Sequence, residues 1–322
     1  MMFHRIRSEQ SVKLLSIGIA SFSGNLVCSN EARSEQGTSP YKKLNAKDKI
    51  LHNLFGKALP EPRILDEKDN VFDTYQVRKG LKERRADEKK LEIIQKQIMK
   101  CVQANDRKCI ESQMQNVNEV LYGKGTTMQD REEFLIKYGC TPYSDEILDK
   151  ILSFDRPIMD IGAGNGQWSR ALSDRAKQKA ADRGTKIIND YVVAYDNGSA
   201  IPLNTEIYHK LTQPAQEHFY NVEKMDGVDA VRQIKNRGRI LLLVYPSPGP
   251  MAYDVVKSYS EFKENDLVVF VGEGVESGAN GNADFLEFFK SKHWVLLQTM
   301  DVPTVRGGGK GLEKVFIFQR AL

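Results

Sequence analysis

The residues best placed to do chemistry sit in Pro157-Ile-Met-Asp-Ile-Gly-Ala-Gly-Asn-Gly-Gln-Trp168, an apolar run that passes into three alternating glycines. Backbone without Cβ atoms can pass close to a bulky ligand, and a side chain at Gly162, Gly164 or Gly166 would fill the space that ligand needs. One acid, Asp160, stands just ahead of the glycines. A second, Asp196, closes the apolar run Tyr191-Val-Val-Ala-Tyr-Asp196. A carboxylate at the end of the second strand of such a unit can accept ribose hydroxyls, usually ~20 residues on. Here Lys177–Gly184 reads as extra helix and loop that lengthens the interval.

The spacing bears on which ligand fits. Dinucleotide-binding turns use G-x-G-x-x-G, which would put glycine where this chain has Gln167 and would aim the helix dipole at a pyrophosphate. The pattern present, acid-x-G-x-G-x-G with Asp160 as the acid, resembles the first motif of class I methyltransferases. That resemblance implies S-adenosylmethionine as cofactor, with Asp160, Gly162, Gly164, Gly166 and Asp196 around it. A carboxylate suits the ammonium and sulfonium of that molecule and would repel a pyrophosphate. Binding of a nicotinamide dinucleotide, or a glycine turn with no ligand at all, are the competing readings.

Three more positions follow from the ends of later strands. Asp226, followed by Gly227, matches a place where class I methyltransferases often contact adenine, and serves equally well as a turn before a helix. The apolar run Ile240–Val244 ends in Tyr245-Pro-Ser-Pro-Gly-Pro250, a stiff loop that can present the Tyr245 and Ser247 hydroxyls toward a substrate. Many amine methyltransferases carry Asp or Asn before Pro-Pro and an aromatic here; this chain has neither acid nor amide, which counts against amine methylation. Glu273, after Asp266–Gly272, could orient a nucleophile or cap the next helix. The stretch Tyr138-Gly-Cys-Thr-Pro142, with the proline loop and the glycine-rich region, is similar to a group of eukaryotic methyltransferase-like proteins of undefined substrate. That likeness spans about residues 130 to 320.

These residues need an α/β sheet to position them. Strand-like runs fall at 157–161, 189–195, 219–225, 239–245, 266–272, 293–299 and 313–319, with helical patterns between the first six. The seventh follows the sixth through Arg306-Gly-Gly-Gly-Lys-Gly311 without a helix. This predicts a Rossmann-like, seven-stranded, mostly parallel sheet whose last strand is antiparallel. Ser144, followed by Asp145 and Glu146, predicts a capped helix entering the first strand.

Residues 129–322 are thus expected to form the methyltransferase-like domain, 66–128 a helical accessory region, and 1–65 a disordered arm or targeting segment. A basic start before the broken apolar stretch Leu14–Val27 fits a targeting segment, while Glu9 departs from the acid-poor pattern of one. A cytoplasmic or a mitochondrial location is compatible with it. No stretch has the ~20 apolar residues of a membrane-spanning helix. Apolar residues are 40% and charged residues 28% of the chain, ordinary for a globular protein. Four cysteines lack a CxxC pair, and no metal site is expected. Cys101 and Cys109 could face each other across neighbouring helices, but buried free thiols are the preferred reading.

In the helical region Leu91, Ile94, Ile98 and Val102 recur at helical spacing. Seven of the residues from Arg78 to Lys90 are basic, but Glu83, Asp87 and Glu88 interrupt them at spacings that allow ion pairs, which favours a solvated helix face over a phosphate-binding one. A net charge of +4 suits an anionic partner without requiring one. Methyl transfer from S-adenosylmethionine to an unknown acceptor is therefore the expected function. A non-catalytic assembly or RNA-associated protein, using the N-terminal helices to contact RNA or protein, is the alternative. An NAD-dependent oxidoreductase is a more distant one.

Overall fold

The structure is a computed structural model that describes residues 63–66, 69, 71–72, 75–186, 189–199, 220–274, 280–291, 293–308 and 311–321. The proposed arm and the Leu14–Val27 stretch lie outside the described residues, apart from the arm's last three positions.

The chain enters through a two-residue strand, β1 (Arg63–Ile64), and then forms α1 (Tyr75–Gln103) and α2 (Arg107–Tyr122). Ile94 and Ile98 of α1 pack against Met114, Val117 and Val120 of α2. Asp106 caps α2 by accepting from the N–H of Cys109. Cys101 and Cys109 form a disulfide across this hairpin, not the pair of free thiols expected from the sequence. The tight turn at Ala104–Asp106 brings their Cα atoms to 5.7 Å, inside bonding range. Next come α3 (Met128–Tyr138), opened by a capping box between Thr127 and Asp130, and α4 (Asp145–Leu152), capped by Ser144 as its sequence predicts.

From here strands and helices alternate: β2 (Ile158–Ile161), α5 (Gln167–Asp182), β3 (Val192–Asp196), β4 (Val222–Lys224), α6 (Gly227–Arg232), β5 (Ile240–Val244), α7 (Met251–Tyr259), β6 (Leu267–Gly272), α8 (Ala283–Phe288), β7 (Trp294–Asp301) and β8 (Lys314–Arg320). Spatial order is β1-β7-β8-β6-β5-β2-β3-β4. Pairing is parallel from β4 through β3, β2 and β5 to β6, and β8 lies antiparallel between β6 and β7. The antiparallel last strand is as expected, but the sheet has eight strands, not seven. The extra one, β1, pairs antiparallel with β7 at the edge. Two residues carry no alternation to read, so its place is decided by the partner strand and by the adjacent Leu65, buried in the core.

Burial on both faces explains the near-continuous apolar runs of β5 and β6, Ile-Leu-Leu-Leu-Val and Leu-Val-Val-Phe-Val-Gly. One face holds Met159, Tyr195, Leu241, Leu243, Val268 and Phe270; the other holds Ile158, Val192, Leu242, Val269 and Ile317. Strand order reverses where the chain leaves β4 and returns as β5 on the other side of β2, and open α/β sheets bind ligands outside the carboxyl ends of their strands at that point.

Candidate active site

Gly162, Gly164 and Gly166 all have left-handed φ angles of 72°, 57° and 82°, which folds the turn after β2 back on itself. The N–H groups of Gly162 and Ala163 donate to the Tyr195 carbonyl at 2.9 and 3.1 Å. Gly166 is the N-cap of α5 and makes no side-chain cap bond, so the positive end of the helix faces the crevice uncapped by a side chain. A Cβ on Gly166 would stand 2.7 Å from Cβ of Tyr220, whereas one on Gly162 would meet only Cε of Met251 at 3.4 Å. Met251 opens α7, which follows β5, so the space at Gly162 lies at the switch point between β2 and β5.

Where a dinucleotide site would have its third glycine, Gln167 is buried and its Nε2 donates to the Leu135 carbonyl at 3.0 Å. The position is therefore committed to anchoring α3. Trp168 does the same through Nε1, which donates to the Thr141 carbonyl at 2.8 Å. Phe134, Tyr138, Tyr143 and Trp168 form a chain of ring contacts at 5.3, 5.1 and 5.5 Å. The Tyr138–Pro142 stretch is thus the wrap around the first turn of α5. From the sequence Gln167 was read only as the position of a missing glycine and Thr141 only as part of the Tyr138–Pro142 stretch; a polar residue inside an aromatic-rich segment was the available signal for their anchoring roles.

Asp160 is 1% exposed and its Oδ2 accepts from the Ser169 hydroxyl at 2.6 Å. Burial pushes its carboxyl up to about 7, the Ser169 bond opposes this, and the charge of Asp196 adds to it. Its Oδ1 has no hydrogen-bond partner among the described residues, and the same holds for Oγ1 of the fully buried Thr141. A buried acceptor left unmade costs about 1–3 kcal/mol. An ammonium group would satisfy Asp160, so these residues fit a cationic amino-acid head and oppose a pyrophosphate.

Asp196, at the end of β3, accepts from Gly164 N–H through Oδ2 and from Gly198 N–H through Oδ1 at 2.7 Å. A carboxylate has about four acceptor positions, so both oxygens retain capacity for hydroxyl donors. Asp226 is exposed and caps α6, accepting from Val228 N–H at 2.9 Å. That is the turn reading; no contact here gives it a further role. Gly227 behind it has a packing reason, because a Cβ would lie 2.7 Å from both Ile161 and Val255.

Across the switch point, Tyr245 adopts a left-handed φ of 49°, uncommon for a bulky side chain. Its N–H donates to the Val271 carbonyl at 2.7 Å. Ser247 is exposed. The proline loop is zipped to the loop after β6: Pro248 bridges Gly281, Gly281 N–H donates to the Pro246 carbonyl at 3.2 Å, and Asn280 Oδ1 accepts from Glu273 N–H at 2.8 Å. Glu273 is 5% exposed. The structure therefore joins the segments carrying Tyr245, Ser247 and Glu273, with Asn280 as the tie.

No family model matches the chain, and no curated protein matches it. Solved structures similar to it include S-adenosylmethionine-dependent methyltransferases. One is a candidate tRNA methyltransferase of Streptococcus pneumoniae in complex with S-adenosyl-L-methionine, 9% identical over 56% of this chain and 74% of that one, with a TM-score of 0.34. The 23S rRNA methyltransferase ErmE is 16% identical over 56% and 70%, with a TM-score of 0.30. The magnesium protoporphyrin IX methyltransferase of Synechocystis PCC 6803, with its cofactor bound, is 12% identical over 55% and 77%, with a TM-score of 0.32. Likeness this distant fixes neither cofactor nor acceptor.

Proposed function

We propose that the chain binds S-adenosylmethionine in the crevice between the Gly162–Gly166 turn and the end of β3, and transfers its methyl group to an acceptor held against the β5 and β6 loops. One observation carries this reading: Asp160, buried with one carboxylate oxygen unpartnered, lies ahead of three left-handed glycines. Asp160 would meet the ammonium group, the glycine turn would make room for the nucleoside, and Asp196 would accept the ribose hydroxyls. The cofactor itself supplies the reactive methyl and a neutral thioether leaving group. What the protein must add is in-line positioning and exclusion of water. On this reading the Tyr245–Pro250 loop and Glu273 would orient the acceptor, and the N-terminal helices would offer a contact surface for an RNA or protein partner.

Calorimetry with S-adenosylmethionine and with its demethylated product tests the binding half. Labelled S-adenosylmethionine with fractionated cell extract tests transfer. Uptake of neither compound would defeat the proposal. Uptake without label transfer to any RNA, protein or metabolite fraction would favour a non-catalytic role, and preferential binding of a nicotinamide dinucleotide would favour an oxidoreductase.

A further inference from the structure

We infer that the outer face of α1 is a docking surface for the phosphodiester backbone of a nucleic acid. The basic run that opens this helix looks neutralised by acids when read along the chain. The helix separates the two signs. At about 100° per residue, Arg78, Lys82, Arg85, Lys89, Lys96 and Lys100 fall within an arc of about 60°. Lys82, Arg85, Lys89, Lys96 and Lys100 are exposed, and none forms an ion pair among the described residues. The acids of the helix, Glu83, Asp87, Glu88 and Glu92, all lie outside that arc, and Asp87 is buried and paired with Lys90 at 3.1 Å.

This stripe points away from the rest of the molecule. Leu91, Ile94, Ile98 and Cys101 are buried, and they occupy the opposite side of the helix. From Lys82 to Lys100 the charges run about 27 Å along a straight rod. A row of like charges of that length is held only at an electrostatic cost, which an anionic polymer removes by releasing its condensed counterions.

Two features select the partner. Membrane-surface helices insert an apolar face, and the apolar face of α1 is covered by α2. Ile93, 58% exposed, lies about 20° beyond the edge of the arc. No aromatic side chain lies in the arc to stack on bases, so contact is with the backbone and independent of sequence. The surface does not depend on methyl transfer and stands or falls separately from it.

The test uses the full chain and a labelled, mixed-sequence RNA of about 20 nucleotides, with affinity measured across salt concentrations. Five phosphate contacts on a single strand predict a log–log slope of about −3.5. Combining Lys89→Gln, Lys96→Gln and Lys100→Gln should weaken binding about tenfold or more and reduce the slope by about 2. These positions are exposed and glutamine is a comparable helix former, so melting should be unchanged. Lys177→Gln, Lys257→Gln and Lys263→Gln remove the same net charge from exposed sites off the stripe and should leave affinity and slope intact. The inference is overturned if the wild-type chain ignores RNA, if both triple variants lose affinity equally, or if the chain binds anionic vesicles but not RNA.

Discussion

Oδ2 of Asp196 accepts the backbone N–H of Gly164 at 2.9 Å, tying the end of β3 to the middle of the glycine turn after β2. One carboxylate thereby fixes the shape of the turn while facing the same crevice. Asp196→Ala removes both the tie and the ribose acceptor, and should weaken S-adenosylmethionine binding by about 1–3 kcal/mol. Asp196→Asn keeps one acceptor oxygen and should lose less. Calorimetric titration of both variants checks the order; equal affinity across wild type and variants would remove Asp196 from the site.

Gly162 and Gly166 should separate binding from folding. Both have left-handed backbone, so alanine at either position costs about 1–2 kcal/mol. Only at Gly166 does the new Cβ also drive into the side chain of Tyr220, at 2.7 Å. Gly166→Ala should therefore lower the melting temperature clearly more than Gly162→Ala. Gly162→Ala should instead lose cofactor affinity with only that backbone cost to stability, and Gly164→Val should abolish that affinity while circular dichroism stays native.

Asp160 makes the free protein and the complex respond oppositely to pH. Its folded value of about 7 lies above the ordinary 3.8. The native state therefore holds the extra proton between these values. That contribution to stability is complete below about 3.8 and is lost as pH rises through about 7. An ammonium ligand favours the ionised carboxylate, so cofactor affinity should rise through about pH 7 by no more than about tenfold per unit. Asp160→Asn should flatten both trends. Melting curves and titrations over that range read the two signs independently, and parallel trends would refute the assignment.

The Cys101–Cys109 bridge closes a loop with a sequence separation of 8, for which chain entropy gives about 2.5 kcal/mol of stabilisation. Its removal should loosen the α1–α2 hairpin without touching the crevice. Cys109→Ser should increase hydrogen exchange in α1 and α2, with affinity for S-adenosylmethionine unchanged. Loss of cofactor affinity in that variant would mean that the hairpin supports the site directly.

The glycine turn was legible because its requirement is local: glycines that must take left-handed φ next to a strand announce themselves by type and spacing, and Asp160 stands a fixed two residues ahead. The sheet was legible for a related reason, since strands buried on both faces must be apolar throughout. Register with other segments is a different matter. That Gln167 anchors α3, that Gly307 and Gly308 are glycines because Asp130 and Phe134 press against them, and that Asn280 ties Glu273 to the proline loop all depend on contacts between distant segments.

Charge on α1 shows the same division. Sequence order interleaves its acids and bases; the helical period sorts them onto different faces, and packing against α2 decides which face stays exposed. The sequence by itself determined the α/β alternation, the turn and the acids beside it, because those follow from local backbone geometry and from which residues tolerate burial. Tertiary structure alone decided the eighth strand, the disulfide and the wrap of Tyr138–Pro142 around α5. Each of these is an energy of close approach between segments, and that energy does not exist until the chain is folded.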